Sequence, residues 1–340
     1  MKDFFKSVAA TFVGLLLYSF VFIIIFSGIV GIVAAVGSGS NAVVESNSIL
    51  HLSFAGEITD RANNNIFDVS MLTGDDGQSV GMNSILECIE RAKTDPNIVG
   101  LYIDNESVDA GISVLDEIRD AVADFKLSGK FVYAYADDMS QGSYYLASVA
   151  DTIAVNPQGS VDFRGLRAEV QFYKDALDKL GIEVEVFRHG KFKSAVEPFI
   201  LNKMSAENRL QYQTMLDGIW NYMLGKMSAS RHLSTSQLND IADTYSGLLI
   251  STAISQGLVD VSIYRKEMLA MLAAKINVDV DDLNLVSVKK YVKAKPATIK
   301  QADQIAVIYA IGDIKRESSS SYSYSPIITP DEFVDAISDV

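Results

Sequence analysis

The sequence predicts an α/β fold preceded by a transmembrane helix, and three observations support this prediction. The chain has 340 residues, enough for one large domain or two ordinary ones. A long run without charged residues lies at its N-terminus. After that run, short apolar stretches alternate with amphipathic helical patterns, which is the signal of strand–helix–strand units. Since such units are joined by right-handed crossovers, the sheet should be largely parallel.

The apolar run covers residues 8–36, and no charged residue occurs from Ser7 to Val44. A helix needs roughly 20 apolar residues to cross the hydrocarbon core of a bilayer. A cleaved signal peptide has a shorter apolar region, although the small residues at 34–40 resemble a cleavage site. We therefore interpret residues 8–36 as an uncleaved transmembrane signal anchor.

The basic residues around this span predict its orientation. Lys2 and Lys6 precede it, and the next basic residue is Arg61. By the positive-inside rule, residues 1–7 form a cytoplasmic tail and everything after the span lies outside the cytoplasm. Residues 37–48 are predicted to form a short flexible stalk.

The elements after the stalk follow from hydrophobic periodicity. Strands are predicted at 49–56, 98–104, 130–136, 151–155 and 184–188. Helices are predicted at 82–93, 112–126, 166–180, 205–229 and 263–275. Gly181 lies just past one of these helical patterns, which has Lys179 in its last turn, and this combination marks a helix C-terminus.

An internal repeat predicts how the chain is divided. Residues 48–61 match residues 304–317, and each copy reads as a strand that ends in glycine, an acidic residue and isoleucine. Residues 83–92 and 331–340 follow as corresponding helix starts. The chain is therefore expected to contain two copies of one structural unit.

The second copy stops at Val340, inside a helix, and one strand with part of a helix cannot bury a core of its own. We therefore expect residues 49–302 to form a first repeat and residues 303–340 to be the truncated start of a second. The alternative is that the strand near residue 305 completes the sheet of the first domain.

Composition argues against several classes of function. The 43 acidic and 29 basic residues give a net charge of -14, which argues against nucleic acid as a partner. The one cysteine, Cys88, allows no intrachain disulfide and no cysteine metal cluster, and its helical spacing suggests a packed core thiol. Three scattered histidines argue against a zinc site and weaken any histidine-based triad. No P-loop or dinucleotide motif is present, so neither a metal nor a cofactor is expected.

Two lysines stand out within residues 187–199, "FRHGKFKSAVEPF". A lysine that directly follows a strand lies where α/β folds build active sites. An amine acts as a general base only when it is neutral, and burial favours the neutral form by lowering the pKa. Lys191 and Lys193 are two residues apart, so periodicity alone does not separate them.

Residues 139–148, "MSQGSYYLAS", follow a predicted strand and open a helix. The backbone N–H groups near Gln141 and Gly142 would then point toward whatever lies above the sheet. The simpler interpretation is that Ser140 is an ordinary N-cap.

Residues 186–199 and 140–166 closely resemble the long, two-repeat form of the signal peptide peptidase A family. Residues 206–223 and 253–260 fit the same family, and the resemblance covers essentially the whole chain. The family belongs to the Clp-protease/crotonase fold superfamily, so the resemblance implies repeated ββα units. It also implies a serine peptidase with a Ser/Lys dyad that cuts residual signal peptides in or near the membrane.

The resemblance distinguishes the two lysines. In the long form of the family, the first repeat supplies the lysine base and the second repeat supplies the serine. The family motif is a glycine, two residues and then Lys-Ser-Ala, which fits Gly190 and residues 193–195 here. The resemblance therefore implies that Lys193 is the catalytic lysine and that Lys191 occupies a variable position.

The resemblance also locates the missing nucleophile. The family motif in the second repeat is a serine before Gly-Gly-Tyr, in a turn between strand and helix. Its counterpart here is "SQGSYY", where Gln141 takes the place of the serine and Ser140 and Ser143 flank it. The nucleophilic serine is thus expected beyond Val340, and the chain is expected to be inactive alone.

Location and partners are implied in the same way. The family suggests the bacterial inner (cytoplasmic) membrane, a periplasmic or extracytoplasmic main domain, hydrophobic signal-peptide remnants as substrates and a homo-oligomer, specifically a tetramer. A non-catalytic, membrane-anchored scaffold for oligomerisation or substrate binding is one alternative, and it would explain Gln141 without chemistry. A crotonase-like acyl-CoA enzyme is another, but the anchor argues against it because the domain faces away from the cytoplasmic CoA pool.

Overall fold

The computed structural model describes residues 2–37, 44–60, 81–294, 307–316 and 327–338. The chain divides into two compact units, Met1–Ala294 and Lys295–Val340.

Strands and helices alternate along the first unit, as the periodicity predicts. Its strands are β1 (Ser48–Leu52), β2 (Ile98–Asp104), β3 (Phe131–Ala136), β4 (Thr152–Val155), β5 (Val261–Ser262) and β6 (Leu285–Ser287). Its helices are α1 (Lys2–Gly37), α2 (Met82–Thr94), α3 (Ile112–Lys126), α4 (Gln141–Ala147), α5 (Lys174–Lys179), α6 (Glu197–Ile200), α7 (Ala206–Arg231), α8 (Thr235–Thr244), α9 (Ile250–Ser255), α10 (Arg265–Ile276) and α11 (Val288–Lys293).

The six strands form one parallel sheet in the order β5-β4-β3-β2-β1-β6. Leu50 pairs with Leu101, and Leu101 pairs with Val132, so that apolar residues lie side by side on one face. The predicted parallel α/β fold with an N-terminal apolar helix is confirmed.

Both faces of the sheet are buried, as is usual for parallel sheets. The larger core packs Leu50, Leu101 and Val132 against helices α2, α3, α4, α7, α8, α9 and α11. Tyr102 and Tyr135 point to the opposite face, because successive residues of a strand alternate between faces. There they pack with Met268 and Leu272 of α10.

Cys88 of α2 lies in the larger core with no exposed surface. Burial raises the pKa of its thiol to about 12, since the ionised form would lose its hydration. The prediction of a packed core thiol is confirmed.

Four of the five predicted strands agree with β1 to β4, and four predicted helices agree with α2, α3, α7 and α10. The fifth strand, at 184–188, is wrong. Residues 182–189 run without regular secondary structure, and residues 183–189 make no backbone–backbone hydrogen bond in the part of the chain that the structure describes. Apolar and acidic residues alternate here as in a strand, but the six positions of the sheet are occupied by other segments.

The helix predicted at 166–180 is shortened to α5, residues Lys174–Lys179. Its C-terminal signal is nevertheless correct. Gly181 adopts a φ of 69°, a left-handed conformation that glycine tolerates because it has no Cβ.

Helix α1 contains one stretch, Ala10–Gly28, that is long and apolar enough to cross a membrane, judged by length and composition. None of this stretch is buried inside the protein. Its 19 residues would extend about 28 Å as a helix, close to the thickness of a bilayer core. The predicted tail is part of the same helix, and the stalk predicted at 37–48 lies partly outside the described residues.

The second unit contains β7 (Asp313–Ile314), β8 (Ile327–Ile328) and α12 (Pro330–Ser338), with the two strands parallel. The strand predicted near residue 305 lies partly outside the described residues, and residues 307–311 have no regular secondary structure. None of the residues described at 307–316 belongs to the six-stranded sheet.

The two copies of the predicted repeat share a local backbone feature. Gly56 and the aligned Gly312 both have positive φ, 86° and 112° respectively. Each is followed by an acidic residue in a parallel β-bridge, Glu57 with Asp109 in the first copy and Asp313 with Ile327 in the second. The repeat itself stays a prediction.

Candidate active site

Lys193 lies in a turn between segment 182–189, which has no regular secondary structure, and α6. Gly190, at φ 99°, allows the chain to reverse there, and the Lys193 N–H donates to the Gly190 carbonyl at 3.4 Å. The side chain of Lys193 is exposed, and so is that of Lys191. Exposure therefore does not distinguish the Lys191 amine from the Lys193 amine in the described part of this chain.

The apolar residues that surround Lys193 in sequence do not enclose it. Phe192 is 52% exposed and Phe199 is 45% exposed, while Val196 and Pro198 are half-buried. The water exclusion that would neutralise a lysine is thus not provided by the segment itself.

Glu197 is the buried polar residue of this segment, with 1% of its surface exposed. Its carboxylate accepts hydrogen bonds from Ser205 Oγ at 2.6 Å, from Ser205 N at 3.2 Å and from Asn208 Nδ2 at 3.0 Å. Burial by itself raises the pKa of Glu197, but the hydrogen bonds from Ser205 and Asn208, together with the charge of Arg188, lower it below its ordinary value. Glu197 is therefore held as a carboxylate.

Arg188 joins this carboxylate to the lysine. Its Nη1 donates to the Lys193 carbonyl at 2.9 Å and lies 3.8 Å from Glu197 Oε1. The sequence offered one signal for these roles, an arginine and a glutamate on either side of the lysine motif, but the motif alone does not show which charges meet.

Gln141 is the first residue of α4, and its side chain is fully engaged with the neighbouring loop. Its Oε1 accepts the N–H groups of Arg164 at 3.0 Å and Gly165 at 2.8 Å, and its Nε2 donates to the Gly165 carbonyl at 3.0 Å. The amide therefore fixes the loop to the start of α4.

The serines on either side of Gln141 also have structural partners. Ser140 is the N-cap of α4 and accepts the Ser143 N–H at 3.3 Å, so the N-cap interpretation is confirmed. The hydroxyl of Ser143 is buried and donates to the Asn105 carbonyl. Neither hydroxyl is presented as a nucleophile.

A second polar cluster, not predicted from the sequence, lies at the carboxyl ends of the strands on the α10 face. Arg265 Nη1 bonds both oxygens of Asp104, at 2.8 and 2.6 Å, and His51 Nε2 lies 3.2 Å from Asp104. Burial raises the pKa of Asp104, but the hydrogen bonds from His51 and Arg265 bring it below its ordinary value. His51 is thus engaged in a hydrogen-bond network with Asp104 and Arg265, and no group of residues within the described ranges could hold a metal ion.

Residues 124–279 match the family model described as Peptidase family S49, a range that includes Gln141, Glu197 and both candidate lysines. The chain is 33% identical over 312 residues to Protease 4 of Haemophilus influenzae, covering 86% of this chain and 51% of that protein. The chain belongs to peptidase family S49.

Other S49-type relatives extend the comparison. Protease 4 of Salmonella typhi is 36% identical over 229 residues, 64% of this chain and 36% of that protein. The chloroplastic serine protease SPPA of Arabidopsis thaliana is 26% identical over 302 residues, 87% of this chain and 43% of that protein. The chain thus spans about half or less of the length of these relatives, and its resemblance to the signal peptide peptidase A family is confirmed.

Among solved structures, an enoyl-CoA hydratase/isomerase family member aligns at 14% identity with a TM-score of 0.34, over 58% of this chain and 64% of that chain. That score is too low to bear on the chemistry of this S49 chain. The apolar helix α1 and the Protease 4 relatives are consistent with a membrane-anchored protein.

Proposed function

We propose that this S49 chain is the lysine-bearing part of a membrane-anchored serine peptidase that hydrolyses residual signal peptides with a Ser/Lys dyad. Lys193 acts as the general base, and a second repeat of the same fold supplies the serine. The observation that carries the proposal is Gln141: at the motif position of the nucleophile stands an amide whose oxygen and nitrogen are both bonded to the backbone of residues 164–165. This repeat therefore has no hydroxyl there for the lysine to activate.

The chemistry requires a neutral amine. Lys193 Nζ takes the proton of the serine hydroxyl as the oxygen attacks the peptide carbonyl carbon, and the resulting ammonium then protonates the leaving amine. Water hydrolyses the acyl-enzyme in a second step. Packing of the serine-bearing repeat over the exposed Phe192 and Phe199 would exclude water from the amine and lower its pKa.

We also propose the location and assembly that the family suggests. Helix α1 anchors the protein in the bacterial inner membrane, with the N-terminus in the cytoplasm and the S49 domain outside it. In this position the site meets hydrophobic signal-peptide remnants at the bilayer. The protein assembles as a homo-oligomer, a tetramer.

Replacing each lysine by alanine, in separate variants, tests whether Lys193 is the general base. In the full-length protein, Lys193→Ala should lower kcat for an apolar signal-derived peptide by on the order of 100- to 10,000-fold, the usual contribution of a general base. Lys191→Ala is the matched control, since the amine two residues away is equally exposed, and it should keep most of the activity. Full activity of Lys193→Ala, or equal losses in both variants, would overturn the assignment.

The same measurement separates the peptidase from a scaffold. A full-length protein that binds signal-derived peptides without cleaving them would support a non-catalytic, membrane-anchored scaffold instead.

A further inference from the structure

The part of the chain that leads into the lysine has few contacts that hold it in place. Helix α5, which precedes it, has no buried residue, and residues 183–189 make no backbone–backbone hydrogen bond over the described ranges. The turn contact from Lys193 N to Gly190 O is long, at 3.4 Å. A general base must be held at a defined position, so a contact elsewhere has to supply that order.

We propose that Glu197 is the positioning residue of Lys193, fixing the lysine loop to the first turn of α7. This inference rests on the proposed role of Lys193 as the base. Glu197 does not touch the reacting atoms; it acts through the backbone on the C-terminal side of the lysine.

One end of this connection is the N-terminus of α7. Ser205 is the N-cap of that helix and accepts the Asn208 N–H at 3.1 Å. The Glu197 carboxylate accepts from the hydroxyl and the N–H of Ser205 and from the amide of Asn208, as given above. A carboxylate here is favoured further by the positive end of the helix dipole, and α7 is 26 residues long. The side chain is thus attached to the first turn of a 26-residue helix.

The other end is the backbone of the lysine loop. The Glu197 N–H donates to the Ser194 carbonyl at 3.0 Å, immediately after the lysine. Arg188, beside the Glu197 carboxylate, donates to the carbonyl of Lys193 itself. The peptide units on the C-terminal side of Lys193 are therefore both connected to Glu197, one directly and one through Arg188.

The charge of Glu197 maintains the second of these connections, the one through Arg188. A buried carboxylate that loses its donors is costly, and neutralising it removes the attraction that keeps Arg188 nearby. Glu197→Gln keeps the size of the side chain but replaces one acceptor oxygen by an NH2 group, which faces donors from Ser205 and Asn208. That variant should release the loop while leaving the core of the domain intact.

The test uses the full-length protein and two readouts. Glu197→Gln should lower kcat by roughly 10- to 100-fold with little change in KM, because a displaced base slows the chemical step without weakening peptide binding. Trypsin should also cut after Lys191 and Lys193 faster than in the unchanged protein. Glu197→Asp, which restores the charge on a shorter side chain, should recover part of both properties.

Two further variants separate positioning from stability. Arg188→Gln removes the contact to the Lys193 carbonyl without opening the buried site, so it should lower kcat while the urea midpoint stays unchanged. Glu207→Gln removes a charge from the same first turn of α7 outside this connection, and it should behave like the unchanged protein.

Each outcome decides a separate point. Unchanged kcat and unchanged trypsin cleavage in folded Glu197→Gln would overturn the inference, and so would a loss of activity that parallels the unfolded fraction. If Lys193→Ala keeps full activity, the proposed base is wrong, and the trypsin rates in Glu197→Gln still decide whether Glu197 orders the loop.

Discussion

At the scale of single residues, Gln141 shows how a position typical of chemistry can serve structure. Its amide makes three hydrogen bonds to two backbone units, Arg164 and Gly165, with good lengths. A serine hydroxyl is too short to accept both N–H groups and donate to the carbonyl. The family motif thus identifies the position, while the contacts explain why glutamine suits this repeat.

Gln141→Ala should lower the free energy of unfolding by about 2 kcal/mol, because three hydrogen bonds are lost and the loop N–H groups must find water. Urea unfolding of this chain measures the change. Gln158→Ala, at an exposed position, is the control and should change stability by less than about 0.5 kcal/mol. Equal effects of the two substitutions would contradict the structural role of Gln141.

The lowered pKa of Glu197 leads to a prediction about how the stability of the chain changes in acid. Its pKa is lowered in the folded protein from an ordinary value of 4.5, so the folded state binds fewer protons than the unfolded state around that pH. The stabilisation is complete above the ordinary value and is lost as the pH falls through the lower, folded value. Urea midpoints between pH 6 and about pH 3 should therefore fall less steeply in Glu197→Gln than in the unchanged chain. Parallel pH profiles would show that Glu197 titrates normally.

At the scale of elements, a prediction from hydrophobic periodicity agrees with the structure where the pattern of buried side chains alone defines the element. It fails where the element also needs a neighbouring strand that the pattern does not reveal. Strand 98–104 and helix 112–126 were predicted with the bounds that the structure shows. The spacing of apolar residues in a central strand and in an amphipathic helix directly reflects which side chains are buried. Segment 184–188 begins with the alternation of apolar and acidic residues that is typical of a strand, but it has no neighbouring strand in the sheet. Periodicity reports which side chains share a face, not whether another strand pairs with the backbone.

The contrast between α3 and this segment can be measured. Phe125 of α3 is fully buried, whereas Phe187 is 94% exposed. Phe125→Ala should cost about 3–5 kcal/mol, the usual loss for a buried aromatic residue, while Phe187→Ala should leave the stability of this chain unchanged. Thermal or urea unfolding of both variants decides the matter, and a large loss from Phe187→Ala would show that segment 182–189 packs in solution.

The candidate site was predictable in part for the same reason. The motif singled out Lys193 and the position of Gln141, both of which depend on local sequence. The contacts of Glu197 with Ser205 and Asn208, and those of Arg188 with the lysine loop, depend on how α6 and the start of α7 meet. Sequence spacing does not contain that information.

At the scale of the whole molecule, the anchor and the sheet are independent in their packing. The stretch Ala10–Gly28 buries nothing inside the protein, so the core of the first unit should not need it. A variant that begins at residue 44 should unfold at the same urea concentration as the complete chain and should leave the membrane fraction on cell fractionation. A lower midpoint, or retention with membranes, would show that α1 contributes to the fold or that another surface binds lipid.

The sheet's outline also bears on how the chain avoids aggregation. Its two edges are β5, with two residues, and β6, with three, so the parallel sheet presents few free N–H and C=O groups to another molecule. Residues 183–189 are different: they make no backbone–backbone hydrogen bond in the described part of the chain, and apolar side chains alternate with acidic ones at the start of the segment. During synthesis, this short segment is where chaperone binding or intermolecular association is expected to concentrate. Glu183 and Glu185, placed among its apolar residues, act as charged gatekeepers against such association until the segment is covered.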